Sequence, residues 1–246
     1  AGYSGFMIRD HRPYYIKRLI HFFEVWYANH FVAPHFAALG PDFMMLKPWY
    51  VDLHGAHIEA GANLHLVTAS DRRISFCTWQ FGDHQGHINL GDHVLICPGV
   101  RIDSASQVSI GDSTMLAAGC YVSDADWHDL VDRTQPIGIT RPVSIGQNVW
   151  LGDGVTVCKG VQIGDNTIVG ARSVVTGDLP ANVIAAGNPA RVIRDLPEPD
   201  RLITRATLFE DPAFLAKKNA DIDRYFLSNN STLHWLRTLI APKRGD

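Results

Sequence analysis

Residues 143–178 read VSIGQN, VWLGDG, VTVCKG, VQIGDN, TIVGAR and SVVTGD, which are six blocks of six residues. The register also holds upstream, where residues 88–105 read INLGDH, VLICPG, VRIDSA and residues 108–125 read VSIGDS, TMLAAG, CYVSDA. The third residue of every block is Ile, Leu or Val. Side chains alternate along a strand, so the first and third residues share a face, and a small fourth residue lets the chain bend. Three such strands make one coil, and stacked coils bury a continuous aliphatic core.

This register breaks at two places. Ser106 and Gln107 form a two-residue insertion, and residues 126–142, DWHDLVDRTQPIGITRP, leave the repeat altogether. Residues 56–87 predict a less regular first coil. Its expected interior residues are Ile58, Leu64, Ile74 and Phe76.

Both ends of the coil stack need covers, because end coils would otherwise expose apolar core. We expect an N-terminal helical cap over residues 1–55, in which residues 11–38 form a helix interrupted near Pro34. Its aromatic residues are expected to cover the first coil; they are Tyr15, Phe22, Phe23, Trp26 and Phe31.

A C-terminal helical extension is expected over residues 197–246, with helices near 200–228 and 231–241. The second of these helices has an apolar face next to Lys243 and Arg244. We expect that face to pack on the domain, and membrane-surface attachment is the alternative. The face consists of Leu233, Trp235, Leu236, Leu239 and Ile240.

Composition excludes several functional classes. Of the 246 residues, 46% are hydrophobic, and the formal net charge is −3, which argues against a bulk electrostatic grip on nucleic acid. No apolar run is long enough for a membrane span, so we expect a soluble, cytoplasmic protein. The four cysteines, Cys77, Cys97, Cys120 and Cys158, form no CxxC pair, which argues against a disulfide framework or a structural zinc site. Cys97, Cys120 and Cys158 lie at repeat positions and are predicted to be small packing residues.

The excursion at 126–142 is the expected place for chemistry, because functional residues concentrate on loops held by rigid scaffolds. It contains His128, flanked by Asp126 and Asp129. An imidazole titrates near neutrality and can take a proton from an acceptor hydroxyl. Either carboxylate is a candidate to fix its tautomer.

Residues 143–194 resemble the C-terminal half of the hexapeptide-repeat O-acetyltransferases, such as the maltose, galactoside and polysaccharide-modifying enzymes. The matching words are PVSIGQNVWLGDGVTV and GVQIGDNTIVGARSVVTGDLPANVIAAGNPARVIRDL. The resemblance implies an all-β solenoid, a left-handed parallel β-helix, over residues 56–196. It also implies that the loop before this stretch carries the catalytic base, here His128. The pair His128–Asp129 is similar to the step found in polysaccharide and sugar O-acetyltransferases.

The resemblance implies coenzyme A contacts as well. Trp150 matches a tryptophan near the reacting centre, and Asp153 and Ala171 are expected to offer backbone N–H groups to the thioester and the pantetheine arm. Thr176 and Gly177 match a Thr-Lys step whose lysine is missing here. Two arginines match residues near the coenzyme's phosphates, a role that suits guanidinium; they are Arg191 and Arg194.

The expected function is therefore transfer of an acetyl or other acyl group from acetyl-CoA to a small hydroxylated acceptor, sugar or glycan, without a metal. The resemblance implies a homotrimer with active sites between subunits. Acceptor choice is expected to lie with residues 56–87, the insertion near Asp103 and the 126–142 loop.

Three alternatives share this fold. A γ-class carbonic anhydrase-like zinc enzyme would need convergent histidines, for which two sets are candidates. A sugar nucleotidyltransferase would carry a nucleotide-binding domain, for which the residues before 56 leave no room. A non-catalytic scaffold would not need His128, Trp150 or the arginines. The candidate zinc-binding sets are His84, His87, His93 and His54, His57, His65.

Overall fold

The computed structural model describes residues 10–197 and 203–243. Expectations that fall on residues 1–9, 198–202 and 244–246, including Arg244, lie outside the described residues. The chain divides into two compact units. One runs from Glu24 to Thr207, and the other takes in the described residues before and after it.

The unit from Glu24 to Thr207 consists of short strands. In chain order they are β1 (Ala38–Leu39), β2 (Met44–Leu46), β3 (Val51–His54), β4 (Ile58–Ala60), β5 (His65–Val67), β6 (Ile74–Thr78), β7 (Gln80–Phe81), β8 (His84–Gln85), β9 (His87–Leu90), β10 (Leu95–Ile96), β11 (Arg101–Ser104), β12 (Gln107–Ile110), β13 (Met115–Leu116), β14 (Tyr121–Ser123), β15 (Val143–Ile145), β16 (Trp150–Leu151), β17 (Thr156–Val157), β18 (Gln162–Ile163), β19 (Ile168–Val169), β20 (Val174–Val175), β21 (Val183–Gly187) and β22 (Ala190–Asp195).

Successive strands visit three sheets in turn. Sheet A has the order β1-β4-β9-β12-β15-β18, sheet B β2-β5-β10-β13-β16-β19-β21-β22, and sheet C β20-β17-β14-β11-β6-β3. All pairings within these sheets are parallel except that of β21 with β22, which is antiparallel. β7 and β8 form a separate hairpin. Three parallel sheets visited in rotation fit the left-handed parallel β-helix expected from the resemblance.

The predicted interior positions are buried. The residue at the third position of each of the twelve blocks, from Leu90 to Val175, has a relative exposure of 5% or less. The first residues lie on the same face and are at most 1% exposed, and they include the polar Thr114, Thr167 and Ser173. The alternation that predicted the core is confirmed.

The expected role of the small fourth residue is wrong. Gly91, Gly111 and Gly146 have no positive φ, so they do not make the bends. A Cβ on Gly146 would lie 2.2 Å from Oδ1 and 2.8 Å from the backbone nitrogen of Asp165 in the next coil. These glycines let successive coils approach each other.

In nine of the twelve blocks the sixth residue has a positive φ and makes the bend. Asn148 and Asn166 have φ of 52° and 60° between sheets A and B, and glycines such as Gly154 (φ 66°) serve between sheets B and C. Asparagine tolerates this left-handed conformation better than most residues. Its side chain also bonds between coils, since Asn148 Nδ2 donates to Asn166 Oδ1 at 3.0 Å.

The stack begins earlier than expected. β1, β2 and β3 form a coil over residues 38–54, within the region predicted as a helical cap. The expected interior residues of the following coil are all fully buried; they are Ile58, Leu64, Ile74 and Phe76.

The helical additions are present. α1 (Tyr14–Tyr27) leads into a π-helical turn (Ala28–Val32) and a 3₁₀ turn (Ala33–His35), with further 3₁₀ turns at Pro48–Tyr50 and Arg205–Phe209. α2 (Pro212–Leu227) and α3 (Thr232–Ile240) follow. None of the helices in the described ranges combines the length and apolar character that a membrane crossing requires.

The segment after α1 contributes Ala28, Val32 and Phe36 to the aliphatic core, whereas Trp26 and Phe31 of the same unit are each about half exposed. The packing expected for the other aromatic residues of α1 and for the apolar face of α3 stays a prediction.

The close approach of coils at the fourth residue predicts a large effect of one methyl group. Gly146→Ala places Cβ against the Asp165 backbone and should lower the free energy of unfolding by about 1–3 kcal/mol, as overpacking typically does. Gly177→Ala is the matched control, because a Cβ there meets nothing within 4 Å. Chemical denaturation of both variants measures the difference, and equal stabilities would contradict the packing argument.

Candidate active site

The base of the 126–142 excursion is fixed by Asp124. This side chain is fully buried and accepts three hydrogen bonds, from Ser104 Oγ at 2.6 Å and from the backbone N–H groups of Ala105 and Ser106 at 2.8 and 2.9 Å. Charge-assisted bonds of this kind are strong. One carboxylate therefore joins the two-residue insertion at Ser106 to the start of the 126–142 excursion.

The outgoing and returning segments of the excursion are joined by backbone hydrogen bonds. Backbone bonds join Asp126 N to Ile139 O (3.0 Å), Gly138 N to Asp126 O (2.8 Å) and Arg141 N to Asp124 O (2.8 Å). A Cβ on Gly138 would lie 2.6 Å from the carbonyl oxygen of His128. The backbone of His128 therefore rests directly on a glycine of the returning segment.

His128 is exposed on this loop. In the part of the chain that the structure describes, its imidazole makes no hydrogen bond or ion pair. Neither predicted carboxylate orients it. Asp126 pairs with Lys159 at 2.7 Å, and Asp129 Oδ1 accepts the backbone N–H groups of Val131 and Asp132, which lower the pKa of its carboxyl.

The coenzyme candidates around Trp150 lie elsewhere in the fold. Trp150 projects from sheet B and is 47% exposed. Asp153 and Ala171 occupy neighbouring corners between sheets B and C, where Arg172 N donates to Asp153 O at 2.7 Å. Within the described ranges the backbone N–H groups of Asp153 and Ala171 have no acceptor. The coenzyme contacts that the resemblance implies for these two residues stay a prediction.

Arg191 and Arg194 lie on β22, the antiparallel strand at the end of sheet B. Both side chains are exposed, and Arg191 Nη1 donates to its neighbour's carbonyl, Ala190 O, at 2.8 Å. An exposed guanidinium on a strand suits a phosphate group.

Thr176 and Gly177 are exposed in the turn that follows β20 of sheet C. His128 lies on the link from sheet C to sheet A, one edge of the stack. Thr176 and Gly177 share that edge, whereas Trp150, Asp153 and Ala171 lie on sheet B and its corner with sheet C. One chain does not bring the two groups of candidates together.

The cysteines behave as packing residues. Cys120 is buried, and burial raises its thiol pKa to about 12. Burial also raises the thiol pKa of the other three, so none is set up as a nucleophile.

The histidines of the zinc alternative are not brought together. Among the described residues no group of three His, Cys, Asp or Glu side chains is placed to hold a metal ion. His57 and His87 stack on each other with ring centroids 4.5 Å apart. His65 is partly buried, and desolvation and, secondarily, the charge of Arg205 lower its pKa to about 4.

Sequence reasoning missed Asp124, Lys159 and Gly138. Asp124 occupies the fifth position of its block, where acidic residues recur, so only its place before the excursion sets it apart. Lys159 and Gly138 acquire their roles from contacts across the loop that spacing does not reveal.

Comparisons with known proteins agree with the repeat. The family model "Bacterial transferase hexapeptide (six repeats)" matches residues 142–177. A Mycobacterium tuberculosis protein described as a probable acetyltransferase, Rv3034c, is 31% identical over 224 residues, which are 88% of this chain and 67% of that protein. The chain belongs to the hexapeptide-repeat O-acetyltransferase family.

Other relatives of this hexapeptide-repeat protein have narrower descriptions. A galactoside O-acetyltransferase of Lactococcus lactis is 30% identical over 67% of this chain and 66% of its own length. Among solved structures, the N-acyltransferase AntD of Bacillus cereus, in complex with an amino sugar nucleotide and coenzyme A, has a TM-score of 0.55. It is 18% identical and covers 75% of this chain and 93% of its own. That likeness concerns the fold.

The lowered pKa of the partly buried His65 predicts a loss of stability in acid. The pKa of His65 is about 4 in the folded protein, and its ordinary value, expected in the unfolded protein, is 6.5. Between pH 4 and pH 6.5 the unfolded protein therefore binds more protons than the folded protein does. Stability should therefore be complete above pH 6.5 and fall by about 3 kcal/mol towards pH 4. His65→Gln should flatten this part of the profile in chemical denaturation, whereas the exposed control His35→Gln should not. Parallel profiles for all three proteins would contradict the assignment.

Proposed function

We propose that this chain transfers an acetyl group, or another acyl group, from acetyl-CoA to a hydroxyl of a sugar-like acceptor. In this proposal the strands form a left-handed β-helix, residues 56–196 are its acyltransferase domain, and the 126–142 loop carries the catalytic base. Family membership supports the reaction class. The observation that carries the residue assignment is His128, exposed and unengaged on a loop whose base is fixed by the buried Asp124.

Acyl transfer from a thioester to a hydroxyl requires one general base. His128 takes the proton of the acceptor hydroxyl while the hydroxyl oxygen of the acceptor bonds to the acyl carbon of the thioester. The carbon–sulfur bond then breaks, and the same imidazolium returns the proton to the departing sulfur. Transfer is direct, which agrees with cysteines whose raised thiol pKa leaves them unsuited to carry an acyl group.

The residues of sheet B fit a coenzyme A arm. Trp150 offers an exposed apolar face, the N–H groups of Asp153 and Ala171 lack acceptors, and Arg191 and Arg194 offer exposed guanidinium groups for phosphates. A backbone donor aimed at the developing oxyanion is typically worth about 2.7–4 kcal/mol. The coenzyme A and sugar nucleotide named for the Bacillus cereus structure support this use of the fold.

A site between two copies of the chain completes the proposal, in the homotrimer that the resemblance implies. On one chain His128, Thr176 and Gly177 lie at the edge between sheets C and A, while Trp150 and the arginines lie on sheet B. A neighbouring copy that brings its sheet B beside this edge would join the two groups. Holding both reactants in such a cleft removes much of the entropic barrier.

Removal of the base gives the primary test. His128→Ala should lower turnover by roughly 10²–10⁴, the usual share of general acid–base catalysis, with coenzyme affinity little changed. Thiol release from acetyl-CoA, measured with a panel of sugars, amino sugars and serine, reports the rate. His35→Ala, an exposed histidine outside the loop, is the control. Equal turnover in all three proteins would remove His128 from the mechanism, whereas no turnover by the unchanged protein with the whole panel would favour the scaffold alternative.

A second test separates coenzyme binding from catalysis. The double variant Arg191→Ala, Arg194→Ala should raise the dissociation constant for coenzyme A, because phosphate loses its charged donors. Calorimetry measures it, with Lys217→Ala, Lys218→Ala as a control that also removes two cations.

The same variant tests the arrangement of copies. When it is refolded together with His128→Ala, random assortment should restore about one site in four, since each chain supplies the group that the other lacks. Failure to regain activity would contradict a shared site even if both single effects are observed.

A further inference from the structure

A second excursion leaves the stack at the same edge as the loop of His128. Residues 79–86 depart after β6 of sheet C and return before β9 of sheet A as the hairpin β7–β8. Its ends close through Gly86 N to Trp79 O at 2.9 Å, and Trp79 N donates to Ser104 O at 2.8 Å. Gly86 is required here, because a Cβ would lie 2.2 Å from Ser104 O.

The two excursions meet through a pair of tryptophans. The rings of Trp79 and Trp127 have centroids 5.7 Å apart at an interplanar angle of 46°. Trp127 immediately precedes His128 and packs against Ala105, Ala125 and Ile137, whereas Trp79 leaves 47% of its surface exposed. A half-exposed indole therefore contacts the partly buried tryptophan that precedes the candidate base in the chain.

A line of polar contacts continues from this pair along sheet C. Trp127 Nε1 donates to Tyr121 Oη at 3.0 Å, and the guanidinium of Arg101 lies 5.2 Å from the centroid of the Tyr121 ring. Arg101 Nη2 contacts Asp103 Oδ2 at 2.5 Å. The side chain of Asp103 is only 2% exposed, while that of Arg101 is 61% exposed, so most guanidinium donors face outward.

Two cations at this edge are each paired with a carboxylate. Arg101 is neutralised by Asp103, and at the foot of the loop Lys159 is neutralised by Asp126. A charged ligand would lose its hydration on binding here, and neither ion pair would offer it an unpaired opposite charge in return. A neutral ring with several hydroxyls would find a flat apolar face and fixed hydrogen-bond donors.

We infer that Trp79, Trp127, Tyr121, Arg101 and Asp103, here called the acceptor strip, form the acceptor-binding site and select an uncharged pyranose. The sugar ring lies on the exposed face of Trp79, and its hydroxyls accept from Arg101. This inference rests on the proposed function, because it identifies the acceptor on which His128 acts. It gives the hairpin of residues 79–86 a role in choosing the substrate.

The test begins with binding, which needs no turnover. Saturation-transfer NMR on the His128→Ala protein, with methyl glycosides of glucose, galactose and mannose, should show ring-proton signals for at least one sugar. Adding Trp79→Ala should raise its dissociation constant about tenfold, while Trp79→Phe should keep most of the affinity. Phe81→Ala is the control, because Phe81 is 57% exposed on the same hairpin and lies outside the strip. Equal affinity in Trp79→Ala and Phe81→Ala would overturn the inference.

A kinetic arm separates ring binding from structural damage. In the otherwise native protein Trp79→Ala should raise the acceptor KM about tenfold with kcat and the KM for acetyl-CoA nearly unchanged. The matching uronates and 2-amino sugars should bind at least tenfold more weakly than the neutral glycosides. Tighter binding of either charged series would refute the selection of an uncharged ring.

The two proposals fail separately. Sugar binding that depends on Trp79, without any acyl transfer, would reject the proposed function and keep the strip. Acyl transfer that depends on His128 but uses a non-sugar acceptor, with no effect of Trp79→Ala, would reject the strip and keep the function.

Discussion

Successive coils stack at the spacing of hydrogen-bonded strands, about 4.8 Å, and at several fourth positions this spacing leaves no room for a Cβ. Gly91, Gly111 and Gly146 meet this constraint, since a Cβ on each would lie within 2.6 Å of the next coil. Acidic residues that follow such glycines then bond between coils, as Asp165 Oδ1 does with Gln147 N at 2.8 Å. The aliphatic interior depends on this approach, because its layers close only when the coils touch.

A rigid stack leaves its edges available for loops. Both large excursions leave between sheets C and A, and their bases are bonded to the same short segment around Ser104. The buried charge of Asp124 is stable there because three donors surround it. The loop of His128 is thus held by groups that belong to the coils, which leaves its exposed residues free to differ without loss of the scaffold.

The repeat allowed most of the fold to be predicted, because burial at the first and third residues follows from alternation alone. The sequence could not predict why glycine occupies the fourth position, because the atoms that exclude a Cβ there belong to the next coil. The coil at 38–54 escaped prediction because it lacks the IGD words. His128 could be chosen from its loop, but its lack of a carboxylate partner could not, because Asp126 and Asp129 are adjacent in sequence and bonded elsewhere. The contact of Trp79 with Trp127 joins residues 48 positions apart and is a property of the folded edge.

The reversed strand β22 has a consequence for the behaviour of the molecule in solution. A sheet of parallel strands ends in unpaired backbone groups that can recruit another chain and seed fibrous aggregates. β22 covers that end of sheet B in the opposite direction and carries Arg191 and Arg194 on its exposed face. A chain that added to this end would have to pair beside two exposed cations, and natural sheets use charges on an edge strand to discourage such pairing.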